Sequence, residues 1–103
     1  CDVEGSANCP DPVGEDYDMG SSPMLITLPS GQRLLAAGQK SGLLHVLDPD
    51  DNGKLLWKKR VSKGGFLGGI EWGSATDGKR FYVAKSDLTW HNDDFASAAI
   101  QLT

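Results

Sequence analysis

The 103-residue sequence has only two cysteines, two methionines, two histidines and eight aromatic residues, and it carries no apolar run long enough to cross a membrane. A membrane-spanning helix needs about 18 or more consecutive apolar residues, so a membrane span is excluded, and no signal-peptide pattern is present. Basic residues are in deficit: ten Lys and Arg stand against fourteen Asp and Glu, a formal net charge of −4. Nucleic acid is therefore not an expected partner, because its phosphates demand a basic face. A 3.6-residue apolar period is also missing, which argues against helices. Two histidines without a third ligand at metal spacing leave His45 and His91 as an ordinary strand histidine and an ordinary loop histidine.

What the sequence has instead is glycine and proline, thirteen and five residues respectively, placed between apolar runs of four to seven residues. That is the composition of short strands and tight turns. The opening segment, 1–20, is rich in Asp, Gly, Pro, Asn and Ser without periodicity and reads as a loop or connection. Cys1 and Cys9 lie within it. A loop-closing disulfide, a pair of unpaired thiols and a lipid-modified N-terminal cysteine are all compatible with that placement. Because the sequence starts at Cys1 rather than Met, it is read as a fragment, a processed form or part of something longer.

Strands are expected at 24–28, 33–37, 43–47 and 54–61, separated by Pro29-Ser30-Gly31, by the glycine-bounded stretch 38–42 and by Asp48-Pro49-Asp50-Asp51-Asn52-Gly53. Four such strands make one antiparallel meander. A second unit then begins, with strands expected at 70–75 and 80–85 around Thr76-Asp77-Gly78, and a further one at 96–102. An internal match supports the division. Gly31-Gln32-Arg33-Leu34-Leu35-Ala36-Ala37 aligns with Gly78-Lys79-Arg80-Phe81-Tyr82-Val83-Ala84 at an offset of 47 residues. Four strands per ~40–50 residues is the period of a β-propeller blade. The fold expected is all-β, with antiparallel four-stranded blades of a partial β-propeller: 1–20 as connection, 21–62 as a complete blade and 63–103 as part of the next. Blades bury their faces on neighbours, so the expected partners are the remaining propeller blades or a second copy of the chain.

The stretch Val46-Leu47-Asp48-Pro49-Asp50-Asp51-Asn52-Gly53-Lys54-Leu55-Leu56-Trp57 resembles the tryptophan-docking motif of quinoprotein propellers, in which an Asp opens a turn, Gly-Lys closes it and a Trp follows. The physics suits it: the Asp can accept turn N–H bonds, the Gly can take a positive φ, and the flat indole can fill the gap between blades. This turn holds one residue more than the usual spacing. Gly38-Gln39-Lys40-Ser41-Gly42, Asp16-Tyr17-Asp18-Met19-Gly20 and Leu67-Gly68-Gly69-Ile70-Glu71-Trp72-Gly73 are similar, in order and spacing, to segments of the pyrroloquinoline-quinone (PQQ) dependent alcohol dehydrogenases, polyvinyl-alcohol dehydrogenases in particular. The resemblance covers most of 14–87.

That resemblance implies a parent enzyme, periplasmic or secreted, that oxidises a small alcohol or polyol. This stretch would supply part of its cofactor pocket and not a complete active site. Lys40 would contact an oxygen of the PQQ orthoquinone, Trp72 would border the flat cofactor, and Glu71 stands where relatives often carry an amide. Asp18 and Asp16 would line the site or cap turns, Trp57 would be structural, and Ca2+ would be held by residues outside this chain. A different class stays open: a non-catalytic propeller module acting as a scaffold or protein-binding surface. The turn 48–53 also matches the first half of an EF-hand loop, but its twelfth position is Lys59 and its flanks are strands, so calcium is not expected there. In an up-and-down meander, the Lys40 bend, the 64–69 connection and the 16–20 segment emerge at one end, and the 48–53 turn at the other.

Overall fold

A computed structural model describes residue 7, residue 14, residues 17–65 and 68–86, and the backbone of 95–101. The described residues contain no helix. Seven strands are present: β1 (Met24–Thr27), β2 (Arg33–Gly38), β3 (Leu43–Asp48), β4 (Lys54–Arg60), β5 (Ala75–Thr76), β6 (Arg80–Ser86) and β7 (Phe95–Gln101). They form two antiparallel sheets in sequence order, one of β1 to β4 and one of β5 to β7. Fold class and meander are those expected. The cysteines, Asp16, Leu67 and His91 lie outside the described residues.

Alternation decides which side of each strand is buried. Ile26, Leu34, Ala36, Leu44 and Val46 point to one face of the first sheet and join Ile70, Phe81 and Val83 in a single core shared by both sheets. Met24, Leu28, Trp57 and Val61 pack against its margin. Arg33 and Arg80, 47 residues apart, each open a strand, and the residues after them, Leu34 and Phe81, are both buried. The hairpins before them differ. Ile26 pairs with Leu34, eight residues on, whereas Thr76 pairs with Phe81, five residues on. The second turn is accordingly tighter and built on side chains: Asp77 accepts the Lys79 and Arg80 N–H groups at 2.8 and 2.7 Å and the Tyr82 hydroxyl at 2.8 Å. The Thr76 hydroxyl donates to the Arg80 carbonyl at 2.7 Å.

One expected strand is corrected. Of 70–75 only Ala75 belongs to a strand, and the residues before it run as an irregular crossing segment. Ile70 was apolar for a different reason: it is a fully buried plug seated over Gly38, and its N–H donates to the Gln39 carbonyl at 3.2 Å rather than to a ladder. The 48–53 turn behaves as its residues require. The Asp48 carboxylate accepts the Asp50 N–H at 2.9 Å and the Asp48 carbonyl accepts that of Gly53 at 2.9 Å. Asn52 and Gly53 take φ of 51° and 71°, conformations open to Asn and Gly at low cost. Past the turn, Val46 faces Trp57 while Leu47 faces Leu55, so Leu56 is the extra residue of a β-bulge.

Candidate functional site

The bend between β2 and β3 meets two other segments at one end of the first sheet. Its backbone is consumed by them: the Lys40 N–H donates to the Asp18 carbonyl at 2.9 Å, and the Lys40 carbonyl accepts the Gly65 N–H at 2.9 Å. The bend is closed internally by Gly42 N–H to the Gln39 carbonyl, 2.9 Å, and is fastened to the β4 exit by Val61 N–H to the Gly42 carbonyl, 2.8 Å. Such approach leaves no room for side chains at the contacts. A Cβ on Gly64 would collide with the Ser41 carbonyl, and one on Gly69 with that of Lys40, while Gly69 also has φ of 76°.

At this junction the Lys40 ammonium lies 3.2 Å from an Asp18 carboxylate oxygen. The lysine side chain is largely covered, 18% exposed, and its partner is 68% exposed, so the pair sits at the lip of the junction with the cation on the inner side. Glu71 follows the Ile70 plug and is half-buried, its backbone beside Gly20. Trp72 comes next and is 46% exposed. The structure thus brings Lys40, Asp18 and Glu71 to one end of the sheet, with Trp72 adjoining them along the chain. The 48–53 turn, at the far end of β3, is not part of this cluster.

Several residues that build the site escaped the sequence reading. Arg60 is the main one: its guanidinium donates to the Ser41 carbonyl at 2.6 Å and reaches those of Ser62 and Lys63 at 3.3 and 3.4 Å, stapling the Lys40 bend to the β4 exit. No local pattern marks an arginine that acts across 19 positions. The Gln39 amide oxygen accepts the Ser41 hydroxyl at 2.6 Å and lies 3.4 Å from the His45 ring, which stiffens the bend from within and gives His45 the ordinary strand role expected of it. Two buried serine hydroxyls flank the junction, Ser62 beside Gly42 and Ser86 at the Gly69 bridge, each without a hydrogen-bond partner among the described residues.

A part-covered ammonium beside an exposed indole is a combination suited to a flat anionic ligand, which the cation would attract and the ring would stack. The carboxylates of Asp18 and Glu71 set a limit on that: an anion must approach from the lysine and tryptophan sides. Among the described residues there is no cluster of three His, Cys, Asp or Glu able to hold a metal, and no helix long and apolar enough to cross a membrane.

No family model matches the chain, and no solved structure matches it. Two curated proteins do. The chain is 48% identical over 83 residues, 81% of its length, to a polyvinylalcohol dehydrogenase of a Pseudomonas species. It is 42% identical over 82 residues, 80% of its length, to a protein of the same name from Sphingopyxis sp. (strain 113P3). The chain spans 13% and 12% of the lengths of these two relatives.

Proposed function

We propose that this chain, a relative of one stretch of the polyvinylalcohol dehydrogenases, forms one wall of a PQQ pocket in a periplasmic or secreted enzyme that oxidises alcohols. In this reading 21–62 is one propeller blade and 63–103 part of the next, the 47-residue match is a blade repeat, and Trp57 fills the seam between blades. Lys40 supplies the cation at the pocket, Trp72 the flat face, and Glu71 and Asp18 the polar lip. The observation that carries the reading is the junction itself: three segments converge to present a largely covered ammonium beside an exposed indole.

PQQ, when bound, would supply the orthoquinone that accepts the two electrons removed from the alcohol. The chain's own contribution is to hold a fixed positive charge where negative charge gathers on the ligand, which is worth more in a partly water-excluded site than in solvent. Asp18 keeps the ammonium oriented when no ligand is present. Ca2+ and the proton-accepting base would come from residues outside this chain. A non-catalytic scaffold is the second reading, favoured by the Lys40–Asp18 pair, which already satisfies the cation inside the fold.

Titrating PQQ into the protein, with and without Ca2+, while following tryptophan fluorescence separates the two. The pocket reading expects saturable quenching that weakens at least about tenfold in Lys40→Gln, one lost charge-assisted contact, and that Lys40→Arg largely restores. Quenching of equal affinity in Lys40→Gln, with the fold intact by circular dichroism, would leave the scaffold. Dye reduction by alcohols in the presence of PQQ and Ca2+ tests the reaction itself.

A further inference from the structure

The first sheet has two apolar sides, and the shared core uses one of them. On the other side the register aligns one leucine from every strand: Leu25 opposite Leu35, Leu35 opposite Leu47, and Leu47 opposite Leu55. The row crosses the whole width of the sheet. Its ends are open, Leu25 at 56% and Leu55 at 46% exposure, with Leu35 and Leu47 half-buried between them. Single exposed leucines are ordinary, but a contiguous apolar line across four strands marks a contact surface.

Charge is distributed unevenly about this row. Two residues along the strands toward the Lys40 end stand His45 and its cross-strand neighbour Lys58. Two residues the other way stands Arg33, whose guanidinium is held by the Asp50 carboxylate, with exposed Asp51 next in the same turn. A cationic margin and an acidic turn thus flank the leucines at similar distances, roughly 7 Å at ~3.4 Å per residue.

We propose that a second copy of this chain covers the leucine row, in a dimer whose two-fold axis runs along the row. Rotation about that line places each leucine against its own counterpart and reverses the strands, so that the Lys58 margin of one copy lies over the 50–51 turn of its partner. A two-fold contact must be self-complementary, and this face is: an apolar centre with opposite charges placed symmetrically about it. The free edge of β4 does not compete, because Lys54, Lys58 and Lys59 are exposed along it and lysine-lined edges resist strand addition.

Sedimentation across micromolar to submillimolar concentration tests the proposal, in a Cys1→Ser, Cys9→Ser background. The expected result is a monomer–dimer equilibrium whose dissociation constant rises at least about tenfold in Leu55→Lys, since a buried leucine contact is replaced by a charge. Lys58→Glu weakens the dimer, and adding Asp51→Lys to it restores the affinity. Leu35→Cys and Leu47→Cys, each alone, cross-link between copies with a short bis-maleimide, whereas an edge-to-edge pair would bring at most one of these positions within reach. Should Leu55→Lys lose its circular-dichroism spectrum, Leu25→Lys at the opposite end of the row replaces it. A protein monomeric throughout the range, a dimer indifferent to both lysine variants, or a dimer in which either cysteine fails to cross-link overturns the inference.

Discussion

Asp77 carries more of the second hairpin than any other side chain. Its carboxylate accepts the Lys79 N–H, the Tyr82 hydroxyl and the Arg80 N–H, and these bonds, the Lys79 one first, bring its pKa from the ordinary 3.8 down to about 2. Hydrogen bonds to the charged form favour that form. The sign of the pH dependence follows: an acid held below its unfolded value stabilises the fold above about pH 4, and that contribution disappears as pH falls from 3.8 toward about 2. The expected outcome is that the urea midpoint declines across that window in the parent protein and declines less in Asp77→Asn, which lacks the ionisation. Arg33 and Asp50, the other fork, are solvent-exposed, and their pair contributes little in salt.

The connecting elements show where sequence reading succeeds and where it stops. Turns written in Asp, Asn, Gly and Pro announced themselves: 48–53 caps itself with Asp48, and β1 to β4 fall within one residue of where the punctuation put them. The crossing segment did not, because Ile70 is apolar for the sake of a single socket over Gly38, and burial of one plug looks in sequence like the start of a strand. That Lys40, Asp18 and the 64–71 connection converge was legible from the parity of a meander. The Arg60 staple and the glycines at the contacts were not, since each is explained only by a backbone distant in sequence. Gly69→Ala combines a left-handed φ with a collision against the Lys40 carbonyl, and it should cost more than about 2 kcal/mol. Urea unfolding measures that cost, and a shift of the Lys40 amide resonance would report that the bend itself has moved.

At the scale of the molecule, the two sheets stand or fall together. Leu44 and Val46 from one sheet and Phe81 and Val83 from the other occupy one apolar cluster, with the Ile70 plug among them. Leu44→Ala should therefore destabilise by about 2–5 kcal/mol, the usual range for a buried leucine. The amides of β6 should lose hydrogen-exchange protection along with those of β3, although β6 belongs to the other sheet. Protection lost in β3 alone would mean that the sheets open as separate units.

The two ends of the first sheet differ in how their loops are held. The Lys40 bend is tied by backbone bonds to residues 18, 61, 65 and 70, directly or through its neighbours, whereas the backbone bonds of the 48–53 turn close on the turn itself. Insertions and deletions should accordingly be absorbed at the aspartate pole, where one more residue only enlarges a self-contained loop. At the lysine pole the same change would put several distant partners out of step at once, so the length of that bend is as constrained as its composition.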